Sequence, residues 1–121
     1  MIRGIGTDLI EIERIEEAIA RHGNHFLDRL FTPKEQEYAF RHKNFVPTFA
    51  GRFAAKEAIA KALGVGIGVD LAWTDIEVIN NEQGKPEVHL SKNAQTAFQN
   101  PTIHLSISHS KTHAMAFAVW E

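Results

Sequence analysis

The 121-residue sequence contains no cysteine, which excludes disulfide bonds, thiolate catalysis and cysteine-ligated zinc. It also lacks a long apolar run, because the longest one, residues 114–120, is far too short to span a bilayer. Charged residues at positions 3 and 8 leave no room for a secretory apolar segment at the N-terminus. These absences predict a soluble, cytoplasmic protein with no membrane partner.

Neither sign of charge is in excess. Thirteen lysines and arginines oppose 15 aspartates and glutamates, which gives a formal net charge of −2. This balance argues against a dedicated nucleic-acid binder, which usually carries a basic excess. With 44% hydrophobic residues, the chain is long enough to bury a core, and its length predicts one domain over residues 1–121.

Hydrophobic periodicity predicts a strand over residues 2–10, followed by an amphipathic helix over 11–22. An apolar patch at 26–31 predicts one or two helical turns. Thr-Pro-Lys-Glu at 32–35 is a capping-box start for a helix that runs to about residue 41. The alanine-rich stretch 47–63, stopped by glycine, is the strongest helix signal.

The second half of the chain reads mainly as strands. Alternating patterns predict strands at 73–80, 86–90, 104–109 and 114–120, with a short helix at 91–98 between the two pairs. This order of elements predicts an α+β fold in which an antiparallel β-sheet packs on the long helix.

Two carboxylates dominate the candidate chemistry. Asp8 follows a glycine-punctuated strand, and Glu57 lies in the alanine-rich helix among Arg52, Lys56 and Lys61. Magnesium usually takes one or two protein carboxylates together with water and substrate phosphates. The neighbouring cations suit phosphate oxygens. The pattern therefore favours a divalent-metal and phosphate site.

Simpler interpretations exist for both carboxylates. Asp8 could cap the following helix, since aspartate is a favoured N-cap. Glu57 could form an exposed i, i+4 salt bridge with Lys61. Taken one at a time, each residue fits its simpler interpretation, and the setting of Glu57 among cations and apolar residues shifts the balance towards a site.

Three further patterns bear on the class of function. Ser108 and His109 allow a small serine hydrolase, although no Gly-x-Ser-x-Gly nucleophile elbow is present. Histidines 104, 109 and 113 have spacings of five and four, which poorly fit a zinc site. Arg14 and Arg21 share one helix face, which is either solvated or a docking surface for an acidic partner. A non-catalytic binding module is therefore another alternative.

Five stretches, in this order, resemble the successive signatures of the bacterial holo-[acyl carrier protein] synthases, the small trimeric phosphopantetheinyl transferases. They are GIGTDLIE at 4–11, FTPKE at 31–35, FAGRFAAKEA at 49–58, GKP at 84–86 and LSISHS at 105–110. The resemblance implies transfer of 4′-phosphopantetheine from coenzyme A to a serine of apo acyl carrier protein. It also implies a magnesium requirement, release of adenosine 3′,5′-bisphosphate and a role in fatty acid biosynthesis.

The resemblance also implies roles for individual residues. Asp8 and Glu57 match the metal ligands and, with Lys61, the catalytic set. The proton acceptor is then either Glu57 or a magnesium-bound water. The coenzyme-binding positions match Arg52, Lys56, Lys61, Gly66, Gly68, Lys85, Ser108 and His109.

The carrier-docking helix matches the one that carries Arg14 and Arg21. The family is a homotrimer with active sites at subunit interfaces. By analogy with larger relatives, Lys85 and His109 would reach the coenzyme's 3′-phosphate from a neighbouring subunit.

Overall fold

The computed structural model describes all residues, 1–121, and contains five strands and five α-helices. In chain order they are β1 (Gly4–Glu11), α1 (Ile12–His22), α2 (Asn24–Leu30), α3 (Pro33–Phe40), α4 (Val46–Leu63), β2 (Ile76–Asn80), β3 (Pro86–Leu90), α5 (Lys92–Ala97), β4 (Ile103–His109) and β5 (His113–Trp120). The predicted α+β class is confirmed. No helix has the length and apolar character needed to cross a membrane.

The strands form two antiparallel sheets. The larger sheet has the order β1-β5-β4, so the last strand of the chain lies between the first and the fourth. The smaller sheet is the β2-β3 hairpin. The sequence predicted antiparallel pairing on the long helix but did not divide the strands between two sheets.

The long helix α4 packs across the inner face of the larger sheet, mainly on β1 and β5. That face is built from small residues. A Cβ atom at Gly6 would overlap the carbonyl oxygen of Ala58, and one at Gly4 would overlap that of Ala62. Because neither glycine has a side chain, the helix backbone lies directly against β1. Strand and helix are thereby held at a separation that no larger residue permits.

Two hydrophobic clusters meet along α4. One joins its C-terminal half to the larger sheet and to β2, with Ile59, Ile76 and Val78 fully buried. The other joins its N-terminal half to α1, α2 and α3 around Phe31 and Phe49, whose ring centroids are 4.9 Å apart. The helix is thus covered on most of its circumference, and its apolar residues are accordingly spread around the axis rather than confined to one stripe.

Local capping signals predict the helix ends correctly. Thr32 and Glu35 form the predicted capping box at the start of α3, and Ser91 accepts the N–H of Ala94 at the start of α5. Gly64 ends α4 in the left-handed conformation, with φ of 75°. Each of these residues satisfies backbone groups that the helix end leaves free.

The predicted strand over 73–80 is wrong at its first three residues. Residues 73–75 form a 3-10 turn, and β2 begins at Ile76. The carboxylate of Asp75 accepts hydrogen bonds from the N–H of Ala72 and the hydroxyl of Ser91. Such side-chain bonds compete with ladder pairing. Apolar alternation alone could not detect this competition.

Candidate functional site

Asp8 and Glu57 line one surface cavity of about 330 Å³, although 49 positions separate them in the sequence. Asp8 lies within β1, three residues before its end, on the sheet face that α4 covers. Glu57 projects from α4. The glycine contact described above brings these two elements together. The cavity is lined by Asp8, Leu9, Ile10, Glu11, Arg14, Phe53, Glu57 and His113.

Lys61 completes this arrangement from the next turn of α4. Its ammonium nitrogen donates to the carbonyl oxygen of Thr7 at 2.9 Å and lies 3.2 Å from Asp8 Oδ1. The simpler interpretation of Glu57 is therefore wrong, since Lys61 pairs with Asp8 and not with Glu57. The simpler interpretation of Asp8 is also wrong, because Glu11 occupies the N-cap position of α1 without a side-chain cap bond.

The electrostatics of this group suit a bound cation. Partial burial raises the pKa of Glu57, the nearby charge of Asp8 raises it further, and Lys61 opposes both effects. Two carboxylates that repel each other in this way fit a dication that accepts two protein oxygens and fills its other positions with water or phosphate. No group of three or more His, Asp or Glu that could hold a metal occurs in the chain. A metal held by Asp8 and Glu57 would therefore keep most of its positions open.

Lys56 does not contribute to this cavity. Its side chain is completely buried, and its ammonium donates to Glu35 Oε1 at 2.7 Å and to the carbonyl oxygens of Leu30 at 2.7 Å and Trp73 at 3.1 Å. All three of its hydrogens are used. The prediction that Lys56 binds the coenzyme is therefore wrong, because the fold makes this lysine part of the core.

Arg52 is also largely buried, with 5% of its surface exposed. It donates to Asn80 Oδ1 and lies over the ring of Tyr38 at 5.0 Å. Unlike Lys56, it has no carboxylate partner within salt-bridge distance, and its Nε has no hydrogen-bond partner. The assignment of Arg52 to the coenzyme remains a prediction.

The remaining coenzyme candidates, Ser108, His109, Lys85, Gly66 and Gly68, do not line the cavity that Asp8 and Glu57 share. Ser108 pairs with Met115 and Asp8 with Ala116, so their side chains point to opposite faces of the larger sheet. His109 is exposed at the end of β4, and Lys85 is exposed beside the turn between β2 and β3. Gly66 and Gly68 are exposed in the loop after α4, with Gly68 at φ of 99°.

The hydrolase alternative finds no support in this geometry. Ser108 and His109 are neighbours on one strand and therefore point to opposite faces, and no hydrogen bond joins them. A nucleophile and its base need to lie within hydrogen-bond reach. The other two histidines have separate partners, since His104 bonds to Glu121 and His113 to Thr112.

The predicted docking arginines both lie on the solvent side of α1. Arg14 and Arg21 are exposed and form no ion pair within the chain. Arg14 also lines the cavity of Asp8 and Glu57, so this end of α1 adjoins the candidate site.

Sequence reasoning missed a second cavity of about 480 Å³ next to the first. Phe53 lines both, and its ring stacks on that of Trp73 at 5.1 Å. No motif marks the members because they come from α1, α2, α4 and the 3-10 turn. They are His22, His25, Phe26, Arg29, Leu30, Phe53 and Trp73.

Comparison with known proteins gives a consistent result. A family model described as "ACPS: 4'-phosphopantetheinyl transferase superfamily" matches residues 4–118. A holo-[acyl-carrier-protein] synthase of Protochlamydia amoebophila is 48% identical over 120 residues, which cover 99% of this chain and 98% of the relative. One of Chlamydia pneumoniae is 53% identical over 115 residues, with coverage of 95% and 93%.

Solved structures agree with these matches. The Helicobacter pylori holo-[acyl-carrier-protein] synthase in complex with coenzyme A superposes with a TM-score of 0.88 at 37% identity, covering 97% of this chain and 99% of that one. The Neisseria meningitidis holo-[acyl-carrier-protein] synthase gives a TM-score of 0.92 at 35% identity, with coverage of 100% and 99%.

The raised pKa of Glu57 makes a stability prediction. Between the ordinary value of 4.5 and the raised value, the folded chain binds more protons than the unfolded chain. The free energy of unfolding of the metal-free protein therefore receives a contribution from Glu57 that falls as the pH rises through that window. We expect Glu57→Gln to remove this fall and to melt at an equal or higher temperature than the wild type near pH 8.

Thermal melting followed by circular dichroism in EDTA, between about pH 4 and pH 8, measures this effect. Glu37→Gln, at an exposed glutamate of α3, is the control and should keep the wild-type pH dependence. A Glu57→Gln protein that melts well below the wild type near pH 8 would contradict the prediction.

Proposed function

The chain belongs to the holo-[acyl-carrier-protein] synthases of the 4′-phosphopantetheinyl transferase superfamily, and we propose that it transfers the 4′-phosphopantetheine arm of coenzyme A to a serine hydroxyl of an apo acyl carrier protein. The observation that carries this proposal within the chain is the meeting of Asp8 and Glu57 in one cavity, with the ammonium of Lys61 3.2 Å from Asp8 Oδ1. The sequence resemblance supports fatty acid biosynthesis as the setting.

In the proposed reaction, the serine oxygen of the carrier forms a bond to the pantetheine-bearing phosphorus. The bond from that phosphorus to the bridging pyrophosphate oxygen breaks, and adenosine 3′,5′-bisphosphate leaves. Transfer of this kind depends on positioning and charge neutralisation rather than on a nucleophile of the enzyme. Lys61, half-exposed beside Asp8, is placed to balance charge on the pyrophosphate oxygens.

Glu57 is our candidate for the group that accepts the serine proton. Without a bound metal, partial burial and the charge of Asp8 raise the pKa of Glu57, and a dication held by the same carboxylate would act in the opposite direction. Glu57 lines the same cavity as Arg14, so a carrier bound at α1 would approach it from that side.

We propose that Asp8 and Glu57 hold magnesium during this reaction. The two carboxylates and the open sides of the cavity fit the preference of this ion for one or two protein carboxylates. Magnesium bound there would neutralise charge on the pyrophosphate of the substrate.

We further propose that each complete active site uses two copies of the chain in a homotrimer. Ser108 lies on the opposite sheet face from Asp8, so one coenzyme molecule would meet both most simply by bridging two copies. That outer face is unusually apolar. Ile5 and Leu9 of β1 are 60% and 68% exposed, and Met115 and Phe117 of β5 are each 40% exposed. Such patches mark interaction surfaces.

The carrier protein is proposed to dock on α1 and the second cavity. Arg14 and Arg21 are free of internal partners, and Arg29 lines the cavity beside Phe26 and Trp73. Positive charge around an aromatic depression suits an acidic helix with an apolar stripe.

The central test is to incubate the protein with coenzyme A, magnesium and an apo carrier, and to look for the added arm by mass spectrometry. We expect Asp8→Ala and Glu57→Ala to lower the transfer rate at least about 100-fold while the proteins stay folded. Glu37→Ala should transfer at the wild-type rate. Cleavage of coenzyme A without any carrier would point to a hydrolase, and normal turnover of either site variant at limiting magnesium would refute the ligand assignment.

Charge reversal on α1 should act on docking alone. We expect Arg21→Glu, at an exposed residue of α1 that does not line the cavity of Asp8 and Glu57, to raise the KM for the carrier at least about tenfold without changing the affinity for coenzyme A, since a repulsive charge would face the acidic partner. Steady-state kinetics and calorimetry measure the two quantities. Arg41→Glu, at an exposed arginine that lines neither cavity, is the control. An unchanged KM would remove α1 from the docking surface.

The apolar sheet face should hold the assembly together. We expect Phe117→Glu to give monomers in analytical ultracentrifugation and to lose transfer activity, because a charge would be buried in the interface. Val69→Glu, at a residue that is 87% exposed in the loop after α4, should leave the assembly unchanged. A monomeric wild-type protein with full activity would contradict the shared site.

A further inference from the structure

We infer that Glu35 is a positioning residue for the transfer reaction, because it holds Lys56 and thereby fixes the orientation of the helix that carries Glu57 and Lys61. This inference rests on the proposed function. It concerns a buried ion pair whose members do not line the cavity of Asp8 and Glu57.

The carboxylate of Glu35 is fully buried and fully used. Its Oε1 accepts the N–H of Thr32 at 2.9 Å and the ammonium of Lys56 at 2.7 Å. Its Oε2 accepts the N–H of Val78 at 2.8 Å. These donors belong to the start of α3, to α4 and to β2. One carboxylate therefore joins the start of α3 and β2 to α4, the helix that carries Glu57.

Lys56 extends the connection to two more segments. Besides Glu35, its ammonium bonds the carbonyl oxygens of Leu30, at the end of α2, and of Trp73, in the 3-10 turn. An ammonium has three hydrogens, so no donor is left over. The side chain can rotate only if several of these charge-assisted bonds break together.

A helix side chain fixed in this way determines where its neighbours point. Successive side chains of an α-helix are separated by about 100° around the axis, so locking Lys56 sets the direction of Glu57 and, just over one turn later, of Lys61. Glu57 lines the cavity, and Lys61 pairs with Asp8, which also lines it. A small rotation of α4 would move the carboxylate of Glu57 relative to Asp8, which is held on β1.

The ion pair of Glu35 and Lys56 is also connected to the cavity through Trp73 and Phe53. Lys56 holds the carbonyl oxygen of Trp73, and the ring of Trp73 stacks on Phe53, which lines both cavities. Buried ion pairs are often no more stabilising than well-packed apolar residues of similar size. Stability alone therefore does not explain a charged pair in this position, and a positioning role does.

The test separates positioning from stability. Glu35→Gln combined with Lys56→Met replaces the pair by neutral side chains of similar length and leaves no buried charge unpaired. Glu35→Asp keeps the charge but is one methylene too short to reach all its donors. Glu37→Gln, on the exposed side of the same helix α3, is the matched control. All variants are assayed at a temperature where circular dichroism shows them folded.

For the double variant we expect kcat to fall at least about tenfold and the KM for the carrier to stay within about twofold, since docking on α1 is untouched. Binding of Mn²⁺ in the presence of coenzyme A, followed by electron paramagnetic resonance, should weaken at least about threefold. Glu35→Asp should give intermediate values, and Glu37→Gln should match the wild type.

A folded double variant with wild-type kcat and wild-type Mn²⁺ binding would overturn the inference. If the double variant does not fold, the same two measurements on Glu35→Asp decide, with wild-type values again counting against the inference. A wild-type protein that transfers no arm would refute the proposed function instead, and the Mn²⁺ titrations would still compare the variants.

Discussion

The candidate site depends on how closely α4 approaches β1. Gly4 and Gly6 allow helix carbonyl oxygens to lie where any other residue would place a side chain. Asp8 follows on the same face of β1, and Glu57 and Lys61 face it from the helix. The two carboxylates therefore meet because of a backbone contact, and their separation is a property of the whole helix-sheet packing rather than of one loop.

Most of the local structure could be predicted from the sequence because its signals are local. The capping box at Thr32, the glycine stop at Gly64 and the Ser91 cap all act through residues within a few positions. The pairing of Asp8 with Glu57 across 49 positions was reached from residue chemistry and from an ordered series of motifs. The α+β class followed from the order of periodic segments.

The sequence-based predictions were wrong or incomplete where contacts between residues far apart in the sequence determine the environment of a side chain. Lys56 and Arg52 look alike in sequence, one turn apart among alanines, and both are buried, but only Lys56 meets the carboxylate of Glu35, across 21 positions. Nothing in the spacing of Glu35 within a capping box shows that it also pairs with a buried cation. The cavity around Phe53 and Trp73 escaped notice for the same reason, since its walls come from four separate elements.

The side chains of Asp8 and Ser108 point to opposite faces of the larger sheet. This has a consequence for oligomers that mix two different variants of the chain. If one site needs Asp8 from one copy and Ser108 from its neighbour, then a substitution at either residue inactivates a site at one subunit interface. It does not inactivate every site to which that polypeptide contributes. A copy defective at Ser108 could still lend its intact carboxylates to a healthy neighbour, and the reverse would hold for a copy defective at Asp8. Two different defective alleles in one cell would then partly complement each other, whereas two identical ones would not.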